Sequence, residues 1–199
     1  MSRSTPSILL FDVMSTLVYD PIAEEIPAFF GLTLKQLYDR KHPDAWQRFE
    51  RGEIDHQTFC DIYFPHRTEP IDARALRDVL YDAYRWLPGI EPLLEQLSQR
   101  GIEMHALSNY PVWYQIIEEK LELSRYLNWS FVSCNTGVRK PDESAFEHAL
   151  NQLNAAPQHC LFIDDRPANC RAARRVGIGT ILFEDAPQLH DELNRRNIL

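Results

Sequence analysis

Three acids at the ends of two apolar runs carry the first chemical signal in this chain. Asp12 closes the run that begins at Ile8, and Asp164 and Asp165 close the run that begins at Leu161. Both runs have strand length and stop on carboxylates. Ligands of an open parallel sheet bind outside the carboxyl ends of its strands. The three acids are therefore expected at one rim, although roughly 150 residues of sequence separate them. Carboxylates held that close repel one another unless a cation sits among them. Mg²⁺, a hard ion that prefers oxygen ligands, suits the set. The chain reads as an enzyme that acts on a phosphate.

Five apolar runs can position such a site: residues 7–13, 102–107, 129–134, 160–163 and 180–183. Helical patterns lie between most of them. Leu93, Leu94 and Leu97 share one face of a segment that stops at Gly101, and Phe146, Ala149, Leu150 and Leu153 do the same over residues 144–153. A third pattern, residues 168–176, ends before Gly177. This alternation predicts an α/β fold, a doubly wound, Rossmann-like parallel sheet of five strands. Residues 20–86 break it. They show no strand signal, only amphipathic helical faces built from Phe29, Phe30, Leu34, Leu37 and Tyr38, then Trp46 and Phe49, Phe59 and Tyr63, and Leu76, Val79 and Leu80. A helical insert is expected there. It holds 11 of the 22 aromatic residues, which form either its own small core or, for one or two of them, the wall of a pocket for a flat ring.

Composition narrows the partners. With 199 residues and 44% hydrophobic content the chain can bury one substantial core and carry a small accessory domain. A net charge of −8 argues against non-specific nucleic-acid binding, and no apolar stretch approaches the length that spans a bilayer. Cys60, Cys134, Cys160 and Cys170 show no C-x-x-C spacing, and Cys134 and Cys160 fall in expected buried strands. Reduced, packing cysteines are expected rather than disulfides or zinc. The start at residues 1–7 is short and polar and the apolar run at 8–11 is too brief for a signal-peptide core, so the expected location is the cytoplasm. The expected partner is a small-molecule phosphate ester, with the protein a monomer or homodimer.

Four segments, Asp12-Val-Met-Ser-Thr-Leu17, Leu107-Ser-Asn109, Arg139-Lys-Pro141 and Ile163-Asp-Asp-Arg166, match in order and spacing the four motifs of the haloacid dehalogenase-like hydrolases. The resemblance covers nearly the whole chain. It implies a core of residues 1–19 and 87–199 and a C1-type helical cap at 20–86. It also makes Asp12 the nucleophile, forming an aspartyl-phosphate that splits one hard displacement into two. Ser108 would donate its hydroxyl to a phosphoryl oxygen, Asn109 would add backbone or side-chain contacts, and Lys140 would set its charge against nucleophile and phosphoryl group. Asp12, Asp165 and the Met14 backbone carbonyl would bind Mg²⁺. Asp164 would act through water or hold Lys140, with Asn169 as a further polar group behind the metal. Outside that pattern plainer readings exist: a helix N-cap for Asp12 or Ser108, a solvated loop side chain for Lys140 or Arg139.

One position departs from the family. Most of its phosphatases carry an acid two residues after the nucleophile, where this chain has Met14, which cannot move a proton. General acid–base catalysis contributes about 10²–10⁴-fold, so the departure matters. It leaves three readings. The first is a phosphatase without that acid, with Asp20 as a substitute or merely as a turn residue before Pro21. The second is a 2-haloacid dehalogenase, whose halide leaves without a proton but which needs no metal, so the Asp164–Asp165 pair counts against it. The third is a degenerate member that binds a phosphometabolite or a partner without turnover. Within the first reading, residues 10–21 are similar to the start of plant plastid flavin mononucleotide (FMN) hydrolases. That resemblance implies cleavage of FMN to riboflavin, with sugar phosphates as the next candidates.

Overall fold

The computed structural model describes residues 6–67 and 69–199. The polar start read at residues 1–7 therefore lies, for residues 1–5, outside the described residues. Five strands, β1 (Ile8–Phe11), β2 (Glu103–Ser108), β3 (Asn128–Val132), β4 (Cys160–Asp164) and β5 (Gly179–Leu182), pair in parallel in the order β3-β2-β1-β4-β5. The doubly wound sheet expected from the sequence is present. β1 is buried along its whole length, with Leu9 and Phe11 in one apolar cluster and Ile8 and Leu10 in another. Alternate side chains of a strand point to opposite faces, and helices cover both faces, which is why β1 reads as an unbroken apolar run.

The expected helices form close to their predicted bounds. Ile90–Gln99 buries Ile90, Leu93, Leu94 and Leu97, and Glu143–Leu153 buries Ala145, Phe146 and Ala149. Two strands are shorter than the apolar runs that announced them, β1 being Ile8–Phe11 within residues 7–13. β3 stops at Val132, and Ser133–Thr136 forms a helical turn closed by Gly137 in the left-handed region. Cys134 is consequently half-buried on that turn and not in a buried strand.

Among the described residues, the segment between β1 and Ile90 holds five helices: Glu25–Phe29, Leu34–Arg40, Ala45–Glu50, His56–Ile62 and Ala73–Ala83. Asp55 and Asp72 accept backbone N–H groups at the starts of two, and Thr33 with Gln36 forms a capping box at a third. The chain crosses into and out of this insert side by side. Tyr19 N donates to Arg85 O, and Leu87 N donates to Leu17 O, both at 2.9 Å. The insert does not have a separate core. Phe49 and Phe59 stack at 4.6 Å, and both meet Trp113, which follows β2, at 5.1 and 5.4 Å. The helix Leu34–Arg40 corrects the expected apolar face: it buries Leu37 alone, leaving Leu34 and Tyr38 exposed.

Gly52, just after the helix Ala45–Glu50, sits at φ +69° with its backbone against the turn that ends β3. A Cβ there would collide with the Cys134 carbonyl oxygen, a backbone atom that cannot swing away. Gly31 has a similar φ of +65° but open space around it. Gly31→Ala is expected to lose about 1 kcal/mol of stability and Gly52→Ala about 2–4 kcal/mol, read by urea denaturation. Equal losses would show that the insert does not press on that turn.

Candidate active site

β1 and β4 are neighbours, with Phe11 opposite Ile163. The N–H of Asp12 donates to the Ile163 carbonyl at 2.9 Å, so Asp12 leaves β1 where Asp164 ends β4. From β1 the strand order runs one way to β2 and β3 and the other way to β4 and β5. This is the switch point at which open α/β sheets bind ligands. Carboxylate oxygens of Asp12, Asp164 and Asp165 lie within 4.8 Å of one another.

Lys140 joins them. Its Nζ donates to Asp12 Oδ1 and to Asp164 Oδ2, each at 2.7 Å, and its side chain is 2% exposed. That burial excludes a solvated loop lysine. The Lys140 peptide is held as firmly as its side chain: its N–H donates to Asn109 Oδ1 at 2.8 Å, and Asn109 Nδ2 donates to its carbonyl at 2.7 Å. Of the backbone or side-chain contacts expected of Asn109, the side chain is engaged elsewhere: its amide grips the lysine backbone, while the residue still lines the cavity.

Asp164 is fully enclosed and fully bonded. It accepts from Lys140, from Arg166 N at 2.7 Å and from Asn169 Nδ2 at 3.0 and 2.9 Å. Asn169 accordingly holds Asp164. Asp165, half-buried, faces the cavity together with Asp12.

Burial pushes the Asp12 carboxyl from its usual 3.8 up to about 7; Lys140 opposes the rise and Asp164 adds to it. Burial and then Asp164 likewise raise Asp165. For Lys140, burial works to lower the pKa, but Asp12 and Asp164 outweigh it, so the ammonium is held above its ordinary value. The cluster sets three carboxyls against one fixed positive charge. An all-oxygen donor set with excess negative charge fits a hard divalent cation.

A cavity of about 260 Å³ opens over these groups. Asp12, Met14, Asn109, Lys140, Asp165 and Asn169 line it, and so do Tyr38, Lys41, Trp46 and Tyr63 from the insert. Met14 is buried at its edge, next to Ser15 with φ at +59°. A non-glycine residue in that region is uncommon, and such strain collects at functional turns. Ser108 is not on this cavity. It lines a small neighbouring pocket that shares Asn109 and Lys140, and its buried Oγ has no partner among the described residues. Asp20 does line the cavity, yet its Oδ1 accepts from Ile22 N at 3.0 Å, the local bond of a turn. Burial raises its carboxyl, against the pull of the Ile22 N–H.

Sequence reasoning missed Glu50. It is 6% exposed, lines the cavity, and accepts from Trp46 Nε1 at 2.6 Å and from Arg139 Nη2 at 2.9 Å. Trp46, Phe49 and Glu50 stand at i, i+3 and i+4, and an acid on an apolar helical face was the available signal. The pair also resolves Arg139: it is an anchored, mostly buried cation.

The raised Asp12 carboxyl has a consequence for the metal-free protein. Folded Asp12 binds a proton that unfolded Asp12 has released, so its share of stability falls as pH rises from about 4 to about 7. Urea denaturation in EDTA should show that decline, and adding Mg²⁺ at pH 7.5 should raise the midpoint. No response to Mg²⁺ would mean that the acids do not form a cation site.

The sequence pattern of the haloacid dehalogenase-like hydrolases matches residues 7–177. A flavin mononucleotide hydrolase of Arabidopsis thaliana, described as chloroplastic, is 43% identical over 94% of this chain and 76% of its own length. A ribulose-1,5-bisphosphate 5-phosphatase of Halopiger xanaduensis is 29% identical over 90% of this chain and 85% of its own. Among solved structures, a Bacteroides thetaiotaomicron enzyme of the same family, in complex with magnesium and inorganic phosphate, superposes with a TM-score of 0.73 at 18% identity. The match covers 90% of this chain and 95% of that one. The L-2-haloacid dehalogenase of Xanthobacter autotrophicus superposes at 0.63 and 16% identity, over 98% of this chain and 84% of that one. No helix among the described residues is long and apolar enough to cross a membrane.

Proposed function

The chain belongs to the haloacid dehalogenase-like hydrolases, and within that family we propose that it is a Mg²⁺-dependent phosphomonoester hydrolase with Asp12 as nucleophile. The observation that carries this reading is the buried Lys140 ammonium shared by Asp12 and Asp164 beside Asp165. A dehalogenase has no use for that concentration of acids, and the likeness to one is a likeness of fold alone.

Asp12 Oδ1 is fixed by Lys140, which leaves Oδ2 to attack phosphorus in line and form the aspartyl-phosphate. Lys140 offsets charge on the transferring group, and backbone N–H groups of the turn after Asp12 cradle its oxygens. The departing alkoxide takes its proton from water, because Met14 has none to give and we assign Asp20 to its turn. Water then cleaves the acyl phosphate. Asp12, Asp165 and the Met14 carbonyl would hold Mg²⁺, with Asp164 and Asn169 behind them. When bound, the ion neutralises phosphate charge and orients the ester. We assign Ser108 no contact with the ester, because its hydroxyl lines the small neighbouring pocket and not this cavity.

The reading treats residues 1–19 and 87–199 as the catalytic core and 20–86 as the cap, supported by the paired crossings at Tyr19–Arg85 and Leu17–Leu87. FMN is the proposed substrate. Its support is the Arabidopsis relative and the aromatic residues Tyr38, Trp46 and Tyr63 on the cavity, which suit a planar ring. The cytoplasmic location expected from the sequence gains no support from a chloroplastic relative, and cell fractionation decides it.

Asp12→Asn should cut turnover of FMN by about 10⁴-fold or more while circular dichroism still shows the native fold. EDTA should stop the wild-type enzyme, and Mg²⁺ should restart it. Substantial phosphatase activity in Asp12→Asn would refute the nucleophile. Tyr38→Ala, at an exposed site, should raise KM for FMN by about threefold to tenfold and leave KM for glycerol phosphate unchanged. A parallel rise for both esters would remove the ring contact from the proposal.

A further inference from the structure

Glu50 takes no part in the chemistry above, yet the insert buries it, and a buried carboxylate is unfavourable unless it is paired. Its two oxygens are both occupied, one by Trp46 Nε1 at 2.6 Å and the other by Arg139 Nη2 at 2.9 Å. Its backbone carbonyl accepts from Ser133 Oγ at 2.5 Å, and Ser133 Oγ accepts in turn from Tyr110 N at 3.0 Å. Two residues further on, Gly52 lies against the Cys134 carbonyl. The end of this one insert helix is therefore seated on the loop 133–140 at three separate points.

Arg139 immediately precedes Lys140. Asn109 fixes the Lys140 peptide from the core side, and Glu50 fixes the preceding side chain from the insert side. A lysine has a long flexible stem, and its Nζ finds two carboxylates at 2.7 Å only if its backbone is held still. We propose that Glu50 is a positioning residue that, through Arg139, fixes Lys140 against Asp12 and so ties the lysine's placement to the docking of the insert on loop 133–140. The inference rests on the phosphatase reading for its kinetic consequence, but the coupling itself is a property of the fold.

The test uses Glu50→Gln, Arg139→Ala and Arg139→Lys in the full chain, assayed on p-nitrophenyl phosphate with Mg²⁺. Glu50→Gln should lower kcat by about 10–100-fold with KM within twofold, because it loosens a group behind the reacting atoms without touching the ester. Arg139→Ala should show the same split, and Arg139→Lys should recover most of the loss. A kcat within twofold of wild type in folded Glu50→Gln overturns the proposal. A loss confined to KM also overturns it, since that pattern would make Arg139 a direct substrate contact.

A second readout needs no turnover. Lys140 should resist an amine-labelling reagent in the wild type and label at least tenfold faster in Glu50→Gln, with surface lysines such as Lys35 unchanged. Equal protection of Lys140 in both proteins would sink the coupling. Absence of any Mg²⁺-dependent turnover in the wild type, together with faster labelling in the variant, would reject the phosphatase reading and uphold the coupling.

Discussion

An ammonium buried between two carboxylates is the constraint around which this structure is arranged. Lys140 is almost fully enclosed, and each of its two acid partners lies 2.7 Å away. Removing one member of such a set strands a charge away from water, at a cost of about 3–5 kcal/mol, whereas replacing the whole set with apolar side chains is often neutral or stabilising. Stability therefore does not explain why the set exists. With Asp165 added, the site holds more negative charge than Lys140 can balance, and burial has already pushed Asp12 up to about 7. A region strained in this way is what a phosphoryl-transfer site needs, because the ester and its cation relieve the imbalance when they arrive.

The geometry comes from elements far apart in the chain. Parallel pairing of β1 with β4 sets Phe11 opposite Ile163, so the residues that follow each strand emerge side by side. A one-residue slip would turn the side chains of β1 to the other face and exchange the two apolar clusters, which the packing does not allow. The third member arrives on a loop, which has no ladder to fix it. Asn109 supplies the missing restraint with a reciprocal pair of bonds to the Lys140 peptide. An asparagine that follows β2 thus does for the loop what hydrogen-bonded neighbours do for a strand.

This difference between strands and loops also governs what could be read from the sequence. Asp12, Asp164 and Asp165 were legible because each ends an apolar run, and the run itself predicts the sheet that gathers them. Asn169 and Lys140 became legible only through the family pattern. The job of the Asn109 side chain was not legible, because a polar residue at a strand end can face a ligand or its own backbone equally well. Glu50 was hidden for a related reason: its partner lies 89 positions away, and neither residue carries a local signal for the other. Leu34 and Tyr38 failed in the opposite sense, fitting an apolar helical pattern yet remaining exposed. Periodicity reports which side chains share a face; it does not report what that face meets.

The packing of the insert follows from the same division of labour. The fixed charges at the reacting end, Asp12, Lys140, Asp164 and Asp165, all lie outside the insert, while Tyr38, Trp46 and Tyr63 reach the cavity from within it. Such a split lets an insert change the substrate without disturbing the chemistry, provided that it sits in a definite place. Here the seating is built into shared structure: Phe49 and Phe59 pack on Trp113 just beyond β2, and Glu50 holds Arg139 next to Lys140. An insert with a closed core of its own could drift relative to the acids. One that borrows its core from the segment after Ser108 and its ion pair from the residue before Lys140 has its position set by the groups it must serve. Met14 fits this arrangement, since a buried thioether lining the cavity beside Asp12 offers no proton. With a thioether at that position, the chemistry leans on positioning and charge, the terms that dominate phosphoryl transfer.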